Sequence, residues 1–362
     1  MKILIMGFTK IKYMPYMNFY VENIGRDKNE VHILYWNRDL EDESTEKYSD
    51  CKLHEFRCYQ EDDVSKLSKL GSFYKYRRFA KRLIKEEKFD FILVLHSLTG
   101  VLVADLLKRR YKGRYIFDYR DSTYEKFAPF KKIVGELVEN SVATFVSSDA
   151  FRRFLPGRCE SKIYTSHNLL TDSLLYRDYE KTPSERIRIA FWGFIRHEDI
   201  NREIIRKISA DPRFELHYYG REQQVALNLK QYAKDISSSN VFFHGEYKPE
   251  DRYDFVKETD LIHNLYYDSN TLLAMGNKYY DGLIFRIPQL CMRGSFMAEC
   301  SQRADVGCVC DPYEDDFTEK IYRYFHGLDS EAFNSACDVE LDRVLKQYSD
   351  GVEIINENTK ER

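Results

Sequence analysis

A chain of 362 residues exceeds what one hydrophobic core ordinarily serves and predicts two domains of somewhat under ~200 residues each. Lys and Arg total 56 against 59 Asp and Glu, so no basic excess points to nucleic acid as a partner. The eight cysteines include no CxxC pair and no histidine at zinc-finger spacing, the apolar start is too short for a signal peptide, and no stretch of about 20 apolar residues exists. The expectation is a cytoplasmic protein with reduced thiols and no structural metal.

Lys2–Met6 followed by Gly7 reads as a buried parallel strand running into a turn, although Gly7-Phe-Thr-Lys is not the GxGxxG of dinucleotide binders. A helix is predicted over 13–24, a strand over 30–36, a polar loop over 37–50 and a third strand over 53–59. The helix predicted over 72–88 has apolar residues at Phe73, Tyr76, Phe79, Ala80, Leu83 and Ile84, which is helical spacing. Its other face carries Lys75, Arg77, Arg78, Lys81, Arg82, Lys85 and Lys88. That face suits either solvent or the anionic surface of a membrane holding a lipid-linked acceptor. The strand 89–95 delivers His96 to its carboxyl end, and the strand 114–118 delivers Arg120 and Asp121. Ligands of open α/β sheets bind at such ends. A helix over 126–140 and strands over 143–148 and 161–166 complete the first half.

Residues 176–186 are charged, contain Pro183 and lack periodicity, which reads as a linker. The pattern then restarts. Ile187–Trp192 followed by Gly193 repeats the strand-then-glycine opening, with strands at 214–219 and 240–244, the latter ending at His244-Gly245-Glu246. Helices are expected over 199–208, 223–236 and 249–258. The apolar run from Asp260 leads to a helix opening at Asn277, then a short strand begun by Ile287-Pro288. A first turn at Asn277 leaves backbone N–H groups pointing forward at the positive end of the helix dipole, a place for a diphosphate that Lys278 can reinforce. A last strand over 307–310 and helices over 317–325 and 331–348 follow. The predicted fold class is α/β, two Rossmann-like domains facing across a cleft, divided as 1–178, 187–335 and a C-terminal helix and tail over 336–362.

The order of these landmarks resembles the two-domain GT-B glycosyltransferases of bacterial surface polysaccharide assembly, in particular those of glycosyltransferase family 4. The resemblance rests on the Gly7 turn, the His96-Ser97 and Tyr119-Arg120-Asp121 strand ends, His167-Asn168, the Gly193-Phe-Ile-Arg196 turn, and Gly276-Asn277-Lys278-Tyr279-Tyr280-Asp281 ahead of Ile287-Pro288. It covers most of the chain. The family's pair of glutamates seven residues apart is not present; the equivalent helix has Asn277 and Asp281, with Arg286 where a small residue often stands. The resemblance implies an N-terminal acceptor domain, a C-terminal donor domain, a nucleoside-diphosphate sugar as donor, and a glycan or lipid-linked acceptor. It implies a metal-independent hexosyltransferase that uses no cofactor.

Glycosyl transfer needs a stabilised diphosphate leaving group and, often, a base for the acceptor hydroxyl. Arg196, Lys278 and the amides near Asn277 are the candidates for the diphosphate, Asp281 for a ribose hydroxyl, and Gly193 and Gly245 for the borders of the donor pocket. Asp121 is the candidate base, or else an N-cap or an ion-pair partner of Arg120. His96 is the candidate acceptor orienter, with Gly7 and Arg120 on the acceptor side. Two other functions fit the same architecture: a non-catalytic subunit supporting a partner enzyme, and a nucleotide-sugar 2-epimerase.

Overall fold

The computed structural model describes residues 1–61 and 69–360; the final two residues of the expected tail lie outside the described ones. The chain forms two compact α/β units, one of residues 1–167 with 346–362 and one of residues 168–345. Each is built on a parallel sheet of Rossmann-like topology.

In the first unit the strands are β1 (Lys2–Met6), β2 (Glu30–Asn37), β3 (Lys52–Arg57), β4 (Phe91–Leu95), β5 (Tyr115–Tyr119), β6 (Ala143–Val146) and β7 (Ile163–Thr165), in the order β3-β2-β1-β4-β5-β6-β7. The runs Ile3–Met6 and Phe91–Leu95 are buried throughout, as parallel strands covered on both faces must be. The helices are α1 (Met17–Asn23), α2 (Leu70–Glu87), α3 (Ser97–Leu102), α4 (Ala104–Arg109) and α5 (Ala128–Asn140). The helix expected over 13–24 begins only at Met17, after a single 3-10 turn at Ile11–Tyr13. Residues 101–110 hold two helices, because Val103 leaves helical geometry at φ −119°.

The second unit contains β8 (Ile187–Trp192), β9 (Phe214–Tyr219), β10 (Val241–Gly245), β11 (Leu261–Asn264), β12 (Gln289–Met292) and β13 (Gly307–Cys310), in the order β10-β9-β8-β11-β12-β13. Its helices are α6 (Glu198–Ser209), α7 (Gln224–Asp235), α8 (Arg252–Phe255), α9 (Asn277–Ile284), α10 (Phe296–Ala304) and α11 (Phe317–His326), and α12 (Ser330–Thr359) begins here and belongs to the first unit from Lys346 onward. The last helix was expected to end near Tyr348. It continues to Thr359 because its final turns have their own apolar partners, with Ile355 in the first unit's core and Tyr348 against Phe19. α10 had no counterpart in the sequence reading; Ser295 caps it by accepting from Ala298 N at 3.0 Å. Among the described residues no helix is long and apolar enough to cross a membrane.

Both sheets reverse strand order beside their first strand, between β1 and β4 and between β8 and β11. A crevice opens at such a switch point, outside the carboxyl ends of the strands. The loops after these four strands are therefore where ligand chemistry belongs.

Candidate functional site

A cavity of about 520 Å³ lies at the switch point of the second sheet. Gly193, Phe194, Arg196 and His197 line it from the loop after β8, and Tyr266, Thr271, Gly276, Asn277, Lys278 and Asp281 from the segment between β11 and the middle of α9. α9 opens at Asn277 with no side chain capping it, and of its first-turn amides Tyr279 N already donates to Gly276 O at 3.0 Å, leaving those of Asn277 and Lys278 for a ligand. Asn277 and Arg196 are exposed, and the Arg196 guanidinium lies 4.7 Å above the Phe194 ring.

Lys278 is not the solvated first-turn lysine that its sequence position suggests. It is 8% exposed, with Nζ donating to Trp192 O at 3.2 Å and standing 4.2 Å over the Phe191 ring and 5.1 Å over Tyr266. Burial, opposed by Asp281 and assisted by Arg196, brings the amine down to about 7. Asp281 is one helical turn from Asn277 but faces inward. Its Oδ2 accepts from Trp192 Nε1 at 2.8 Å, and Arg252 Nη1 reaches Oδ1 at 3.3 Å. Burial outweighs these partners and raises the Asp281 carboxyl above the usual carboxylate range.

The loop carrying Arg196 is pinned from beneath by Asn201, a residue the sequence reading passed over. Its Nδ2 donates to Arg196 O at 2.7 Å and to His197 O at 3.1 Å, while its Oδ1 accepts from Tyr218 OH at 2.8 Å. His263 Nε2 lies 3.1 Å from the same Oδ1, and His263 Nδ1 accepts from Leu265 N at 3.0 Å, which assigns the ring as neutral with its proton on Nε2. His197 takes the left-handed conformation, φ 59°, at the start of α6. Its Nε2 is 3.3 Å from Asp268 Oδ2, near enough for an ion pair but misaligned for a hydrogen bond. Asn201→Ala would orphan the buried Tyr218 hydroxyl and His263 N–H together, for an expected loss of roughly 3 kcal/mol. Urea unfolding measures it, and a loss below about 1 kcal/mol would dismiss this pinning.

In the first unit, His96 and the loop after β1 meet at the switch point. The His96 ring is parallel to Phe8 at 6.2 Å, its Nδ1 accepts from Leu98 N at 3.3 Å, and its φ is 77°. Gly7 continues the ladder by donating to Leu34 O at 2.7 Å, and Tyr76 OH bonds its carbonyl. Asp121 is exposed at the end of β5. The Arg120 guanidinium turns inward, 3.1 Å from Asp118 Oδ2 and 2.7 Å from Ser166 Oγ, and lies 4.0 Å over Tyr16. Gly245 ends β10 at φ 81° with nothing near its missing Cβ, and it does not line the cavity.

No family model matches the chain, and no curated protein does. Solved structures match over nearly its whole length. A glycosyltransferase from Rickettsia africae is 11% identical with TM-score 0.72, covering 100% of this chain and 99% of that one. HepE from Anabaena in complex with UDP is 13% identical with TM-score 0.70, covering 98% and 99%. The lipopolysaccharide outer core galactosyltransferase WaaB is 12% identical with TM-score 0.65, covering 98% and 99%. The fold is GT-B. At these identities the likeness speaks to architecture and leaves the GT-B site of this chain to be read from its own residues.

Histidine burial gives the fold a definite acid sensitivity. Burial holds His263 down to about 3, and pushes His54, His96, His197, His217 and His244 below the ordinary 6.5. The unfolded chain takes up these protons near pH 6.5 while the folded chain refuses them. The stability they contribute is present above about pH 6.5 and is lost as pH falls toward their folded values. His263 alone accounts for about 1.4 kcal/mol per pH unit below that point. Urea midpoints should fall steadily from about pH 7 to about pH 5; constant midpoints would contradict this.

Proposed function

We propose that the chain is a glycosyltransferase that binds a nucleoside-diphosphate sugar in the cavity of its second unit and passes the sugar to a glycan or lipid-linked acceptor. The observation that carries this reading is the convergence at one switch point of a buried lysine, an exposed arginine and an uncapped helix N-terminus. All three favour an anion. They meet in a unit whose fold is shared with HepE, a protein solved with UDP.

In this reading Lys278, Arg196 and the first amides of α9 near Asn277 receive the charge that builds on the departing diphosphate, a task that needs no metal ion. Gly193 lets the chain pass close to it, and Asp281 is the candidate for a ribose hydroxyl. The first unit is the acceptor domain, where the exposed Asp121 carboxylate takes the hydroxyl proton and His96 orients the acceptor. Gly7 shapes that edge, while Arg120 acts through the fold, by holding Asp118. A hexosyl donor, relation to family 4, and a place in bacterial surface polysaccharide biosynthesis complete the proposal. The membrane-facing part falls to α2, which exposes Leu70, Tyr74, Lys75, Arg78, Arg82 and Lys85 along one side.

The test is thermal shift against UDP-, GDP-, ADP- and CMP-linked sugars with and without EDTA. A ligand that binds only the folded state at a hundred times its Kd stabilises by about 2.7 kcal/mol, a rise of roughly 5–11 °C for a unit of this size. The expected result is a shift with one nucleotide class, unchanged by EDTA and lost in Lys278→Ala. No shift with any of them would reject the donor reading.

A further inference from the structure

Resting on the donor reading above, we infer that anion binding in this cavity is coupled to proton uptake: Lys278 is an uncharged amine in the empty pocket and becomes an ammonium only when the diphosphate enters. The geometry states the case. An ammonium presents three donors, and the described structure gives Lys278 Nζ one acceptor, the Trp192 carbonyl at 3.2 Å. The nearest carboxylate, Asp281, is turned away to Trp192 Nε1 and Arg252. A buried cation without a counter-ion is disfavoured, and burial here exacts that cost.

The groups packed around the amine act in both directions, with burial the largest. Asp281 on the same helix favours the charged form, but its charge is shared with Arg252 of α8. Arg196 from the loop after β8 opposes it. His263 of β11 is held neutral first by burial and then by the charges of Lys278 and His197, so it brings no negative charge to the amine. The phenol of Tyr266 is pushed upward by burial and stays neutral. The Phe191 and Tyr266 faces, like Asp281, favour a cation and keep the amine basic enough to respond. An entering diphosphate supplies both the missing acceptors and the missing negative charge. The balance is one solvent proton plus R–NH2 giving R–NH3⁺ bound to a phosphate oxygen. Donor affinity then declines as pH rises above neutrality, and release of the anion returns the proton.

The experiment is titration calorimetry of the full chain with UDP-glucose, whose diphosphate does not itself ionise near neutrality, at about pH 8 in two buffers of different ionisation enthalpy. The expected result is a buffer-dependent apparent enthalpy corresponding to close to one proton taken up per ligand. Lys278→Arg, permanently charged, should bind with uptake near zero, and Lys278→Met should bind at least about tenfold more weakly, also without uptake. Binding by the wild type with buffer-independent enthalpy overturns the proton link and leaves the donor reading intact. Uptake that persists in both variants assigns the proton elsewhere, to His197 or His263, and also overturns it. Absence of UDP-glucose binding at about pH 6 and about pH 8 alike, together with no shift by the other nucleotide sugars, overturns the donor reading and this inference with it.

Discussion

Asp281→Ala is expected to destabilise the second unit by about 3–5 kcal/mol. Both members of the pair lie inside, Asp281 2% and Arg252 6% exposed. Removing the carboxylate leaves the Arg252 guanidinium in the interior without this counter-charge, and takes away the acceptor that Trp192 Nε1 reaches at 2.8 Å. Most of the loss is the cost of a buried charge deprived of this carboxylate, so the partner change distinguishes mechanisms. Asp281→Asn keeps an acceptor for the indole and should lose less. The double replacement Asp281→Leu with Arg252→Met removes both charges and should recover much of the difference. Guanidinium unfolding of the full chain provides the measurement, read on the transition of the second unit because two units need not melt as one. A single-site loss under about 1 kcal/mol, or a double variant no better than Asp281→Ala, would show that the pair is solvated and not structural.

The GT-B architecture was readable because its determinants are local and repeated. Lys2–Met6 and Ile187–Trp192 are apolar runs each followed by glycine, and both stand as the first strand beside a switch point. The opening of α9 at Asn277 follows from the same kind of information, a glycine before a helical run and Pro288 after it. α10 was missed for the opposite reason. Phe296–Ala304 has weak periodicity, and the signal that starts it, Ser295 as N-cap, is a single residue among turn residues.

The site was half readable. The sequence brought out Lys278, Asp281, Arg196 and Gly193, and the fold places all four on one cavity. What it could not convey was orientation. Asn277 and Asp281 share a helix face by spacing, yet one is exposed and the other 2% exposed, since the helix end protrudes and its second turn does not. Arg120 precedes Asp121, but its guanidinium pairs two residues back, because alternate strand residues share a face and adjacent ones do not. Arg252, Trp192 and His263 were missed because each acts through partners distant in sequence, Trp192 Nε1 reaching across 89 residues to Asp281, and Asn201 because its Oδ1 is held by the equally non-local Tyr218 and His263. Polar residues set within an apolar run, as His263 and Asn264 are between Ile262 and Leu265, were the one local signal that could have raised the question.

Gly220→Ala is expected to damage the pocket although Gly220 does not itself line it, by pressing on the carbonyl of Gly193, which does. Gly193 and Gly220 extend the ladder one step past β8 and β9, with Gly193 N donating to Tyr219 O at 2.9 Å and Gly220 N to the O of Gly245, the last residue of β10, at 2.8 Å. A Cβ on Gly220 would stand 2.1 Å from the carbonyl oxygen of Gly193, a backbone atom that no side-chain rotation can move aside. The turn at Gly193 must shift, and with it the Trp192 carbonyl that receives Lys278 and the loop that carries Arg196. Overpacking of this kind costs ~1–3 kcal/mol, and more where backbone is the obstacle. Gly245→Ala is the matched comparison: its φ of 81° imposes strain, but nothing lies within reach of the new methyl. That change should cost only about 1–2 kcal/mol and spare nucleotide-sugar binding. Unfolding and UDP-glucose titration on both variants separate the effects. Equal losses of binding would mean that Gly245 borders the donor after all, and a Gly220→Ala protein that binds normally would mean that the Gly193 turn has slack enough to absorb a methyl group.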